Sequence, residues 1–185
     1  MSFALDTKTS LVAQSDGLKH DCCRRAELYG ILSMAGVFSR QKCKLVTTSE
    51  ALAELTIKRL GSLYGISGNL YITERKSGNA DERHSCKITV PQKKELERLF
   101  EGFRYAADEP PTVIKREMFR CAGCEPAYVR GAFLSSGTLI NPDKGYHLEM
   151  SIPNTALSDD FASLLGEAGL EPKRMTRKNE NVLYY

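Results

Sequence analysis

A nine-residue stretch occurs twice in the chain, and it constrains the fold more than any other feature. The first copy runs Leu28-Tyr29-Gly30-Ile31-Leu32-Ser33-Met34-Ala35-Gly36, and the second Val129-Arg130-Gly131-Ala132-Phe133-Leu134-Ser135-Ser136-Gly137. Gly30 and Gly36 align with Gly131 and Gly137 at a constant offset of 101 residues, and Cys23 and Ala26 meet Cys124 and Ala127 at the same offset. Ala26 and Gly30 are four apart, as are Ala127 and Gly131, so each pair leaves one helix face almost bare. Small residues at that spacing let two helix backbones come close. The pattern predicts two equivalent helices packed on a pseudo-twofold axis, with Ala26, Gly30, Ala127 and Gly131 at the seam. Two unrelated amphipathic helices would have no reason to share one offset.

The repeated nonapeptide resembles the motif of the LAGLIDADG homing endonucleases. In that family two such helices pack at the centre of the fold. The eighth residue of each motif is an acid that holds divalent metal for phosphodiester cleavage. Here the eighth positions are Ala35 and Ser136. Alanine has no ligand atom, and a neutral hydroxyl is a poor substitute for the carboxylate oxygens that Mg²⁺ prefers. The charge that metal-assisted hydrolysis needs is missing at both sites. The resemblance therefore implies the scaffold of a nuclease, no catalytic residues and no bound catalytic metal.

One family keeps that scaffold without the acids: WhiA, a bacterial regulator of sporulation and cell division. The resemblance covers essentially the whole chain. It includes Met1-Ser2-Phe3-Ala4 with Thr7-Lys8, and Asp21-Cys22-Cys23 followed by Arg25-Ala26-Glu27-Leu28. It also includes Ala127-Tyr128-Val129-Arg130-Gly131-Ala132-Phe133-Leu134, and Asn141-Pro142 followed by Tyr146-His147-Leu148-Glu149. The last two blocks are the most specific. The family's domain is followed by a C-terminal helix-turn-helix that does much of the DNA binding, and no such element is read within these residues.

Composition bounds the rest. No apolar run approaches the ~20 residues that a membrane span requires. The opening residues include Asp6 and Lys8 and show no secretory pattern. The expected location is the cytoplasm, in association with the nucleoid, and no membrane partner is expected. The net charge of +3 allows contact with nucleic acid without demanding it. Six cysteines in such a chain argue against a disulfide scaffold. Cys22, Cys23, Cys121 and Cys124 cluster where the two motif helices start, so pairing of the helices would bring their sulfurs together. Cys121-x-x-Cys124 is half of a zinc-ribbon pattern. The adjacent Cys22 and Cys23 are poorly placed to share one tetrahedral ion. The expectation is therefore buried, reduced thiols and no cofactor.

Read in order, Thr7 to Leu11 can form a short helix. The first motif helix spans about Asp21 to Ala35, with Asp21 as N-cap and Gly36 as its end. Val37 to Thr48 reads as a hairpin, Ser49 to Tyr64 as a helix stopped by Gly65, and Asn69 to Lys76 and His84 to Val90 as alternating strands around a loop at Ser77-Gly78-Asn79-Ala80. Pro91 opens a helix to Phe103. Asp108-Glu109-Pro110-Pro111 is a linker, and Thr112 to Phe119 an extra strand or helix. The order repeats with a motif helix from about Glu125 to Ser136, then a hairpin of Thr138 to Asn141 and Tyr146 to Ile152, turning at Pro142-Asp143-Lys144-Gly145. A helix from Thr155 to Ala168 follows, then strands Lys173 to Lys178 and Val182 to Tyr185. The fold class is α/β (α+β): a pseudo-twofold repeat of αββαββα units with a curved, mainly antiparallel sheet. The first repeat covers residues 1–107 and the second 108–185, together one domain. The second lacks a closing helix, so the chain reads as cut short within the family's layout or as naturally short.

One face of such a sheet is open to water. In homing endonucleases that face grips DNA. The candidates for DNA contact are Lys44, Arg75, Lys87, Lys173, Arg174, Arg177 and Lys178, interleaved with Asn69, Tyr71, Thr73 and Thr89. Glu74 and Glu149 on the same face would repel phosphate. His147 and Glu149, two apart on a strand, could act as an acid and base, but no nucleophile accompanies them. The principal reading is a non-enzymatic, DNA-associated transcriptional regulator. Two others stay open: a module that binds a protein or small ligand on the sheet face and never touches DNA, and a residual nuclease that recruits Glu27 or Glu149.

Overall fold

A computed structural model describes the chain except for residues 1, 2, 68, 76–82, 142, 144, 146 and 179, and gives only the backbone of residues 70–75, 83 and 84. The loop expected at Ser77-Gly78-Asn79-Ala80 lies outside the described residues. So do Lys76, Tyr146 and three expected turn residues, Pro142, Lys144 and Asn179.

The order is helix α1 (Phe3–Ser15), α2 (Asp21–Ser33), strands β1 (Val37–Ser39) and β2 (Lys42–Thr47), α3 (Glu50–Tyr64), β3 (Asn69–Arg75), β4 (Arg83–Val90) and α4 (Lys93–Gly102). After a single 3₁₀ turn at Arg116–Met118 come α5 (Cys124–Ser136), β5 (Gly137–Leu139), β6 (Leu148–Ile152), α6 (Thr155–Glu167), β7 (Lys173–Arg177) and β8 (Glu180–Tyr184). The sequence α2-β1-β2-α3-β3-β4 thus recurs as α5-β5-β6-α6-β7-β8. The expected single curved sheet is instead two four-stranded sheets, β1-β2-β4-β3 and β5-β6-β8-β7, with every pairing antiparallel.

Local chemistry sets most boundaries. Ser49 caps α3 by accepting from the Leu52 N–H at 3.2 Å. Gly65, at φ 62°, ends that helix in the left-handed conformation that suits glycine. Asn154 caps α6 by accepting from the Leu157 N–H at 2.8 Å. Asp21 does not cap α2. That position belongs to His20, and the Asp21 carboxylate pairs instead with Arg24 at 3.0 Å, one turn on. Gly36 lies beyond the end of α2, which closes at Ser33 with Met34 as its cap. The amino-terminal helix is longer than expected, because Leu11 and Val12 pack on the core.

In β4, Cys86, Ile88 and Val90 are buried while Ser85, Lys87 and Thr89 are half-buried. This period-2 alternation sets the register, since a one-residue slip would turn the apolar set outward. One core continuous across both units includes Leu28, Ile31, Leu52 and Ile88 as well as Leu134, Met150, Phe161 and Leu164. Against Tyr64 the first unit packs α4, close enough that a β-carbon on Gly102 would meet the ring at 2.2 Å. In the second unit Leu165 of α6 lines an apolar groove of about 590 Å³ together with Val129, Phe133, Leu148 and Leu170. No described element covers that groove.

Candidate functional site

Helices α2 and α5 lie against each other at the centre of the molecule. A β-carbon built on Gly30 would stand 2.1 Å from the carbonyl oxygen of Tyr128, and one on Gly131 would stand 2.1 Å from that of Glu27. Glu27 and Tyr128 are themselves 101 residues apart, so the two contacts are the same contact exchanged by the pseudo-twofold. Ala26 and Ala127 are buried beside them. Ser33 on α2 bonds the Tyr128 hydroxyl on α5 at 3.1 Å. The amino-terminal cysteines of both helices also meet, so the helices run in the same direction.

Ala35 follows the end of α2 and is buried at 3% exposure. Ser136 ends α5 and donates its hydroxyl to the carbonyl of Ala132 at 3.0 Å, back into its own helix. Among the described residues, the one group of three or more His, Cys, Asp and Glu close enough to share an ion is the four cysteines. From Cys23 to the end of α2 at Ser33 is about 15 Å of helix, and Ala35 lies beyond it, so the thiols and the acid-free positions mark opposite ends of the seam.

Glu27 is fully buried and fully engaged. Its Oε1 accepts from Ser15 Oγ at 2.6 Å and from Arg130 Nε at 2.9 Å, and its Oε2 lies 3.4 Å from Arg59 Nη2. Arg59 also donates to the Ser15 carbonyl at 2.7 Å. A buried carboxylate is tolerable only when paired and hydrogen-bonded in this way. Two guanidinium groups occupy the oxygens that a metal would need, so Glu27 is committed to structure. Glu149 is committed as well: it bonds His147 Nε2 at 3.3 Å and Arg177 Nη2 at 2.9 Å. The His147 bond, helped by Arg177, holds the Glu149 carboxyl below its ordinary range.

The candidates for DNA contact divide by strand face. Lys44 on β2 is directly opposite Thr89, and Lys87 on β4 is opposite Val46, all on the outer face of the first sheet. Exposed Lys42 shares that face, two residues from Lys44. Arg75 is opposite Arg83 in the strand register, and its side chain is outside the described residues. On β7, Lys173 and Arg177 face outward. Arg174 faces the helices, where Nη1 meets Asp159 of α6 at 2.5 Å. The expectation that Arg174 lies outward with Lys173 is therefore corrected: neighbouring strand residues point to opposite faces. Lys178 is exposed at the following turn, with φ 51°.

The cysteine cluster joins the other end of the seam. Cys22 and Cys23 lie in the first turn of α2, Cys124 opens α5, and Cys121 precedes it. Cys121 Sγ is 3.4 Å from Cys23, 3.6 Å from Cys22 and 3.6 Å from Cys124. Cys124 and Cys23 are buried, Cys22 is half-buried and Cys121 exposed, so the expectation of four buried thiols is met only in part. The Cys23 thiol and the Gly123 N–H donate to Cys121 and bring it down to about 7, while burial pushes Cys23 up.

Two family models match the chain. The WhiA N-terminal LAGLIDADG-like domain matches residues 21–100, and the WhiA LAGLIDADG-like domain matches residues 125–185. The chain belongs to the WhiA family. The probable cell division protein WhiA of Desulforamulus reducens is 31% identical over 192 residues, with all of this chain covering 58% of that protein. The counterpart from Clostridium botulinum (strain Hall) is 27% identical over 193 residues, with all of this chain covering 60% of it. The chain thus spans about three-fifths of the length of these WhiA relatives. The crystal structure of full-length WhiA from Thermatoga maritima superposes with a TM-score of 0.71 at 19% identity, over all of this chain and 57% of that one. The homing endonuclease I-WcaI bound to its DNA recognition sequence gives 0.56 at 13% identity, over 88% of this chain and 75% of that one. These likenesses establish a WhiA and LAGLIDADG fold.

Sequence reasoning on this WhiA-family chain did not find the Glu27–Arg130–Arg59–Ser15 network. Arg130 sits inside the second motif, so its charge on a central helix was the one available signal. Lys42 was also missed, although period-2 counting from Lys44 would have placed it outward.

Proposed function

We propose that the chain is a DNA-contacting, non-cleaving regulatory module of a transcription factor acting in sporulation and cell division. In this reading the repeats at 1–107 and 108–185 act as one domain, and specific DNA binding belongs mainly to a helix-turn-helix outside these residues. The observation that carries the proposal is the pairing of two features on one scaffold. Cations stand on the outer faces of both sheets at Lys42, Lys44, Lys87, Lys173 and Arg177, while Ala35 and Ser136 take the positions where cleavage needs acids. Glu27 and Glu149, the acids that a residual nuclease would recruit, are each bound to arginine. The loss of acids removes hydrolysis without touching the surface that meets a phosphate backbone.

Incubation with supercoiled plasmid and Mg²⁺ or Mn²⁺, alongside anisotropy of a labelled duplex, tests both halves. Binding that weakens as salt rises, with the plasmid left supercoiled, is expected. Nicking that disappears in Glu149→Gln would overturn the non-cleaving half. No affinity even at low salt would overturn the DNA half.

A further inference from the structure

Cys22, Cys23, Cys121 and Cys124 have no part in the DNA-facing surface, yet all four Sγ atoms lie within 4.8 Å of one another. Zinc–thiolate bonds of about 2.3 Å place the sulfurs of a tetrahedral site about 3.8 Å apart, and the three separations at Cys121 are 3.4, 3.6 and 3.6 Å. Consecutive cysteines diverge by about 100° around a helix, which is what made Cys22 and Cys23 look unsuited to one ion. Cys121 resolves that difficulty by standing within reach of both.

Independent features suit the same ion. Gly123, between the two later cysteines, has an ordinary φ of −82° and needs no glycine for its backbone. A β-carbon there would crowd Cys23 Sγ at 3.1 Å while only touching Cys121 Sγ at 3.8 Å, so its missing side chain leaves room for the Cys23 sulfur. Two helices begin at the cluster, and their amino-terminal ends favour thiolate over thiol. Arg25, Arg104 and Arg120 line a cavity beside Cys22 together with one acid, Asp21, leaving net positive charge next to a site that would carry two net negative charges.

We propose that Cys22, Cys23, Cys121 and Cys124 form a structural tetrathiolate zinc site that clamps the amino-terminal ends of α2 and α5. Four thiol protons leave to solvent as one Zn²⁺ binds, and no oxidation occurs. Four soft ligands select zinc over magnesium or manganese. With all four positions filled by protein, the ion has no open site for chemistry. Its place is the end of the seam opposite Ala35 and Ser136, so it does not depend on DNA binding.

The test is made on the whole chain, purified reduced and without chelator. Elemental analysis should give one zinc per chain. Cobalt(II) exchanged into the site should show the intense sulfur-to-cobalt charge transfer and visible bands of tetrahedral four-sulfur coordination. Cys121→Ser alters an exposed residue, so the fold should persist while the cobalt spectrum changes to that of three sulfurs. Changing Cys43 and Cys86 to alanine should leave the metal in place. Chain that takes up no zinc or cobalt while Ellman's reagent in guanidinium chloride finds all six thiols free would overturn the proposal. So would freshly prepared chain in which mass spectrometry finds these cysteines joined as disulfides.

Discussion

Arg130 reaches across the helix seam and sets its Nη2 2.8 Å from Oε1 of Glu27, a carboxylate with no exposure to solvent. Arg59 approaches the other oxygen from α3, and Ser15 closes the site from the end of α1. One carboxylate thus ties four helices together. Glu27→Gln keeps the shape and removes the charge, leaving the guanidinium of Arg59, 4% exposed, without its partner. Breaking a buried pair in this way costs about 3–5 kcal/mol. The Arg177–Glu149 pair is half open to solvent on its arginine side, and Arg177→Ala should cost at most about 1 kcal/mol. Urea unfolding of the two variants checks the contrast. Equal midpoints would show that Glu27 does not hold the helices.

The glycine seam makes a second stability prediction. Alanine at Gly30 or Gly131 gains about 1 kcal/mol of helix propensity. Against that, the new carbon meets backbone at 2.1 Å, where no side-chain rotation can relieve the clash. The helices must separate, at a cost of about 3 kcal/mol or more, or roughly 6–12 °C in Tm for a domain of this size. Gly36→Ala is the control, because a β-carbon there meets nothing within 4 Å. Calorimetry should show a large drop for the first two variants and little change for the third. An unaltered Tm for Gly131→Ala would refute the close approach.

The seam could be read from the sequence because close backbone approach demands glycine at fixed spacing, and a repeat offset copies that demand. The element order followed from caps and periodicity, as at Ser49 and Gly65. The Glu27 network could not be read so, since Arg59 and Arg130 lie 32 and 103 residues away and nothing local links them. Arg174 was misplaced because a run of cations was counted together without its strand alternation. The thiol cluster was visible as a set of positions, but not its geometry, because only the packed helices bring Cys121 between Cys22 and Cys23.

Alkali should weaken the fold through groups far from the cysteine cluster. Burial raises the Cys43 thiol to about 12 and the Tyr64 hydroxyl to about 12, and it raises Tyr29 and Tyr128 as well. Their folded values lie above their unfolded ones, so the folded state holds protons that the unfolded chain releases. The stability they contribute is complete below about pH 8.5 for the thiol and about pH 10 for the phenols, and is lost as pH rises toward 12. Lys8 runs the other way. Burial lowers it to about 8, so it adds stability from about pH 8 to 10.5. One such group is outnumbered. Unfolding free energy should fall above pH 10, by about 1.4 kcal/mol per pH unit for each titrating group. Cys43→Ala should make the decline between pH 9 and 11 shallower by about one group's share. The same slope in the variant would show that the Cys43 thiol ionises as it does in the unfolded chain.

DNA contact should divide along the faces of the strands. Each phosphate neutralised contributes about −0.9 to the slope of log affinity against log salt. Lys44 and Lys87 stand on the outer face of the first sheet, and Lys173 on that of the second. Lys44→Ala, Lys87→Ala and Lys173→Ala should each flatten the slope by about 1 if that residue meets a phosphate. Arg174 carries the same charge on a neighbouring position, yet its guanidinium is turned to Asp159 on α6. Arg174→Ala should therefore leave the slope unchanged, apart from a small loss of general positive field. Arg177→Ala should act weakly, because Glu149 already balances that charge. Anisotropy titrations at four or five salt concentrations would measure all five slopes. If Arg174→Ala flattens the slope as much as Lys173→Ala does, DNA does not bind on the outer face.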